Sequence, residues 1–189
     1  MSLDDLDMDG QRTMVLEAFA DTIVPGEKRH PGDRAAAGAA AGGGAVAAGA
    51  VTLLAMPAGG IAPGLLALTV ALDEHAAAYA RDHGLPIDDD VPPFVALPFP
   101  HRTALVDHLT RPDHPEQSMW VGLAIFSTMA FDSAAHMSTP EAFATGHPGL
   151  LTIGYHRPGP DGLYRFPAFS YGRRLADLHP ATTPSGSPA

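Results

Sequence analysis

The sequence contains no cysteine. Disulfides, thiolate catalysis, zinc–thiolate sites and iron–sulfur clusters are therefore excluded. Positive charge is scarce as well: 11 Lys and Arg stand against 21 Asp and Glu, a formal net charge of −10. Phosphate backbones and anionic lipid are held by clustered basic side chains, so nucleic acid is not an expected partner. The chain also lacks a basic start followed by an apolar run. Met1 to Gly10 instead carries Asp4, Asp5, Asp7 and Asp9, an acidic N-terminal arm where a secretory leader would be basic. The expected location is cytoplasmic.

Charge is missing altogether between Ala35 and Leu72, which raises the question of a membrane span. The run is mostly Ala and Gly, is poor in Leu over its first half, and is interrupted by Pro57 and Pro63. A span needs ~20 predominantly apolar residues, so no transmembrane span is expected. Phosphate-cradling loops are absent too. Gly42, Gly43 and Gly44 form neither GxGxxG after a strand nor GxxxxGK[ST], and no dinucleotide fingerprint appears.

What is present reads as helix. Val15, Phe19 and Ile23 recur every four residues, Asp9 is a candidate N-cap, and Pro25-Gly26 is a stop, which predicts a helix over about 11–24. A short helix is expected over 45–56, after the glycine run. A longer one should start at Pro63, with Leu65, Leu68, Leu72, Ala76 and Tyr79 on one face, and stop at Gly84. Five prolines between Leu85 and Pro100 predict an extended connector, and Leu105, Val106 and Leu109 mark a fourth helix. Asp113 and Glu116 have the spacing of a capping box, with Pro115 in the first turn, ahead of a run from Met119 to Phe131 that is apolar on almost every face. A helix of that kind is buried all round, which puts it at the centre of the domain.

Thr139-Pro140 opens a last short helix. From His147 to Gly172 glycine, proline and aromatics predict irregular structure. The fold class is mainly α: one helical domain of about five or six helices over 11–178, preceded by the arm 1–10 and followed by a flexible tail over 179–189.

Ten histidines invite a metal or acid–base reading, but none sits in HExxH or HxH. The best pair is Asp132 and His136, four apart on one helical face, with Asp73 or His75 as candidate neighbours. An ordinary helix pair is the competing reading. Ser127, Ser133 and Ser138 are not displayed on a GxSxG turn. A stand-alone enzyme built on His136 and Asp132 is thus the alternative function. Tyr155, Tyr164, Phe166, Phe169 and Tyr171 alternate with His156, Arg157, Arg165, Arg173 and Arg174. Aromatics with arginine suit the centre of a protein interface, and equally the sealing of a core.

Several segments resemble one family. Leu16-Glu-Ala-Phe-Ala-Asp21-Thr-Ile-Val-Pro25-Gly26 is similar to the ALADTLIPG opening of gluconate 2-dehydrogenase subunit 3-like proteins. Phe94-Val-Ala-Leu97 followed by Arg102 to Leu109 resembles that family's F-x-x-L…R…L helix. Trp120 to Phe131 and the loop ending in Leu150-Leu-Thr-Ile-Gly154-Tyr155 match its buried helix and GY loop. The segments at Pro92 to Leu97, His147 to Gly149 and Phe166 to Gly172 resemble an actinobacterial branch.

The resemblance implies a non-catalytic helical small subunit with no cofactor of its own. Its partner would be the large subunit of an FAD-dependent oxidoreductase of the glucose–methanol–choline class, which holds the FAD and oxidises an alcohol or sugar. The small subunit would assist that partner's stability, folding or export. The twin-arginine leader of many members is not seen, which leaves a cytoplasmic complex or co-export with the partner. Asp21, Pro25, Arg102, Gly154 and Tyr155 fall on the family's motifs. With Phe169, Tyr171 and Arg173 they are the candidate family-motif or partner-interface residues. Asp21, placed near a helix C-terminus where an anion is disfavoured, is expected to have a specific hydrogen-bond partner.

Overall fold

No proline or glycine precedes Gly10, so nothing stops the first helix from extending backwards, and α1 runs over Leu3–Ile23. The acidic arm is therefore helical, and Asp9 is no N-cap: it lies inside α1 and pairs with Arg12 at 3.0 Å. The computed structural model describes residues 3–157 and 159–161, with side chains from Asp9 onward. It divides into two compact units, Met1–Gly154 and Tyr155–Ala189; the architecture below is that of the first. Phe169, Tyr171, Arg173 and most of the expected irregular C-terminal segment lie outside the described residues.

The fold is mainly helical, with eight α-helices and no strand among the described residues. After α1 come α2 (Ala50–Ala55), α3 (Leu65–Asp82), α4 (Pro93–Ala96), α5 (Phe99–Leu109), α6 (Gln117–Ser133), α7 (Thr139–Thr145) and α8 (Pro148–Thr152). No helix among them is long and apolar enough to cross a membrane. The core gathers Val15, Leu16 and Phe19 of α1 against Leu68, Leu72 and Ala76 of α3, Phe94 and Leu97 at α4, Leu105 and Leu109 of α5, and Trp120 and Leu123 of α6. Phe19 sits between Phe94 and Trp120, with ring centroids 6.3 and 6.4 Å away. Removing such a ring from a packed core costs about 3–5 kcal/mol.

Several expectations change in the structure. The helix expected over 45–56 starts only at Ala50, because Gly49 adopts φ +83 and the preceding residues form turns. The connector expected to be extended contains α4, whose Pro92-Pro93 start suits a first turn; the Phe94 N–H donates to Asp73 Oδ1 at 2.9 Å. No capping box forms at Asp113. Residues 111–116 make turns, Pro115 precedes the helix, and α6 begins after Glu116, whose carboxylate is used for tertiary bonds. The Glu116 Oε2 accepts the Trp120 Nε1–H at 3.1 Å.

Nor is α6 buried all round. Trp120, Leu123, Ser127 and Ala130 face inward, whereas Ile125 is 51% exposed and Met129 38%. Helix α8 lies where irregular structure was expected, and it forms by close packing: a Cβ on Gly149 would stand 1.7 Å from the Phe131 carbonyl oxygen.

Candidate functional site

The residues of the opening signature hold the chain's own loop. Asp21 is 1% exposed, and its two carboxylate oxygens accept different main-chain donors, the Gly26 N–H at 3.1 Å and the Ala37 N–H at 2.8 Å. The expected partner is thus a pair of amides across the turn that Pro25 begins. Gly26 is part of the same device. A Cβ there would stand 2.3 Å from Gly44 N, so the turn and the glycine run cross at backbone contact, joined by the Glu27 N–H to Gly42 carbonyl bond at 2.8 Å. Glycine is required at such an approach.

Arg102, 4% exposed, completes this scaffold from α5. Its guanidinium donates to the carbonyls of Leu97 at 3.0 Å, Ala35 at 2.7 Å, Arg34 at 3.0 Å and also Val95. Burial pushes its pKa down, with the Asp21 carboxylate acting against this. Beside it, Arg29 forks onto Asp33 (2.7 and 3.0 Å) and Glu17 (2.6 and 2.7 Å), and the hydrogen bond from Arg29 holds the Asp33 carboxyl well below the carboxylate range. Asp21 and Arg102 are therefore internal, architectural groups. Gly154, with φ +70, closes the first unit and Tyr155 opens the second.

The candidate pair Asp132 and His136 is not assembled. The spacing assumed an unbroken helix, but α6 ends at Ser133 and Ala134 turns the chain with φ +50. Asp132 stays exposed on α6, while His136 turns toward Gly49 and His147, whose ring lies 5.9 Å from its own. The buried His136 Nδ1 has no hydrogen-bond partner among the described residues. Burial first, and His147 second, lower its pKa from 6.5. His147 is buried and structural: Nδ1 accepts the Leu150 N–H at 3.4 Å at the start of α8, so Nε2 carries the proton and donates to the Ala48 carbonyl at 3.1 Å.

Two further surface features bear on function. The first is a groove of about 600 Å³ where the end of α1 meets α5 and α6. Ile23, Val106, Val121, Ala124, Ile125 and Met129 give it apolar walls, and Asp107 and Asp132 lie on it. Asp107 is paired with Arg111 at 2.9 Å; Asp132 has no ion pair among the described residues.

The second feature joins α3 to the entrance of α6. His75 Nε2 lies 2.8 Å from Glu116 Oε2, and the ring of His114 is 5.7 Å from that of His75 and 5.3 Å from that of His108. One ligand atom from each of His75, His114 and Glu116 falls within 4.8 Å of the others, and all three side chains are partly exposed. The sequence signal for this cluster was only a His-x-Glu dipeptide spacing, because its third member is 41 residues from Glu116.

The chain belongs to DUF5987, a family of unknown function, which it matches over residues 10–189. No curated protein and no solved structure matches it.

Proposed function

We propose that this member of the family is a non-catalytic small subunit that binds and stabilises a separate FAD-dependent oxidoreductase of the glucose–methanol–choline class. The observation that carries the reading is the groove on α6. A helix whose sequence is apolar nearly throughout buries only one face in its own core and leaves Ile125 and Met129 in water. Burying a fully exposed Ile or Met side chain is worth about 1.5–3 kcal/mol, so a partner that covers the exposed half of Ile125 and the exposed third of Met129 gains a corresponding part of that. Asp132, which has no ion pair among the described residues, supplies a charged contact for a basic residue of that partner. The partner's identity comes from the resemblance of the segments around Asp21, Arg102 and Gly154 to the dehydrogenase small subunits. On this reading the FAD and the alcohol or sugar oxidation reside in the large subunit, and the complex is cytoplasmic or exported together.

The test is gentle purification of the tagged chain from its native cells, with the absorption spectrum recorded and the co-purifying chain identified, alongside an Ile125→Glu variant. A stoichiometric flavoprotein of the stated class that is lost from the variant supports the proposal, provided the variant keeps its helical circular dichroism. A colourless chain recovered alone overturns it. Retention of the flavoprotein by Ile125→Glu removes the groove as the docking face.

A further inference from the structure

We infer that His75, His114 and Glu116 form a binding site for a borderline divalent metal ion of the zinc class. The donors come from two elements, His75 from the middle of α3 and the other two from the turn that enters α6. Two imidazoles and one carboxylate are a donor set that zinc accepts, at bond lengths of about 2.0–2.2 Å, with the fourth position left to water. Ligand atoms around such an ion stand ~3.4 Å apart in tetrahedral geometry. The present spread of up to 4.8 Å is wider than this, so binding draws the three partly exposed side chains together.

The surroundings resemble those of a ligand set more than those of a solitary ion pair. Ligating carboxylates are oriented by outer hydrogen bonds, and Glu116 has one: the indole of the fully buried Trp120 donates to the same Oε2 that faces His75. His75 is in turn set edge-on against that indole, with ring centroids 5.8 Å apart and planes at 79°. The orientation of both groups is thereby tied to the core. A His75–Glu116 ion pair would be complete without a third group, and an exposed pair adds only about 0–1 kcal/mol. Yet His114 is held over the same point, its Nδ1 accepting the Glu116 N–H at 3.2 Å. Coordination through either ring nitrogen of His114 requires this long hydrogen bond to be given up, because Nδ1 then either holds the ion or carries the proton. The bound ion adds a tie between α3 and the start of α6 to the part-buried His75–Glu116 hydrogen bond and the His75–Trp120 ring contact. This inference does not depend on the groove or on the identity of a partner.

The experiment uses the full chain carrying no histidine tag, titrated with Zn²⁺ against a chromophoric chelator, with thermal unfolding followed in parallel. One equivalent is expected to bind and to raise the Tm. His114→Ala removes a surface ring and leaves the core intact; it should weaken binding by more than the roughly 10–100-fold that follows loss of an outer-shell partner, and abolish the Tm response. Glu116→Gln retains an acceptor for the Trp120 indole, so it separates loss of the ligand from loss of folding. It should also lose the ion, whereas His30→Ala, an exposed histidine elsewhere, should keep it. Failure of the wild-type chain to bind Zn²⁺, or one equivalent bound equally by His114→Ala and Glu116→Gln, overturns the assignment.

Discussion

Arg102 Nη1 donates to the carbonyl of Ala35 at 2.7 Å, across 67 residues of chain. The same guanidinium also serves Leu97, Arg34 and Val95, so one side chain satisfies carbonyls of the loop at 34–35 and of the C-terminal end of α4. Buried carbonyls left unpaired cost about 1–3 kcal/mol each, partly recovered by water entry. Arg102→Met, which keeps the stem and removes the donors, should therefore lower the unfolding free energy by about 3–5 kcal/mol in urea titrations. Arg102→Lys should recover little of it, because an ammonium cannot reproduce the planar fork. A loss under 1 kcal/mol would mean that water replaces the guanidinium at no cost.

Asp21 gives a sharper contrast, since its two oxygens serve two different amides. Asp21→Asn is nearly isosteric but turns one acceptor into a donor that faces an N–H. We expect about 1–3 kcal/mol of destabilisation from Asn, and more from Ala, which leaves both amides bare. Urea unfolding of the three proteins checks the order. Equal stability of wild type and Asn variant would show that one acceptor suffices.

The long helices were legible in the sequence, while the polar scaffold and the short helices were not. Leu65, Leu68, Leu72 and Ala76 announce α3 by spacing alone, and Pro25-Gly26 marks the end of α1. Helix α4 is four residues long and is held by Asp73, 21 residues away from Phe94. Helix α8 depends on contact between Gly149 and Phe131. Local propensity carries neither of these. The capping-box spacing at Asp113 was overridden because Glu116 bonds to Trp120 and His75. Apolarity all along α6 could not distinguish a face buried in the domain from one left exposed. The Asp132–His136 spacing failed for a local reason, the reversal at Ala134.

The Gly149–Phe131 contact leads to a third prediction. With the Cβ position 1.7 Å from a carbonyl oxygen, Gly149→Ala cannot be absorbed by a side-chain rotation, because the obstacle is backbone. Overpacking of this kind costs about 1–3 kcal/mol and more where the backbone must part. The loss should be concentrated in α8, so hydrogen exchange at Leu151 and Ile153, whose amides bond to His147 and Gly149, should accelerate before that of α3. Gly64→Ala is the control: its Cβ would meet nothing.

The last prediction concerns His136 and acid. Its pKa is lowered in the folded chain, chiefly by burial and then by His147, with Glu141 acting against both. The unfolded chain therefore binds a proton more readily than the folded one. Stability from this group is complete above the ordinary histidine value of 6.5 and is lost as pH falls below it toward the folded value. Among the described residues the ring faces His147, which is fixed by its bonds to Leu150 and Ala48, and the backbone of Gly49, with the Glu141 carboxylate also acting on it. Denaturant midpoints should thus decline as pH falls below about 6.5, and His136→Gln should flatten that decline without removing the contribution of the carboxylates at lower pH. NMR titration of the ring checks the cause independently. A midpoint at or above the ordinary value would show that Glu141 outweighs burial, and the pH slope would then reverse its sign.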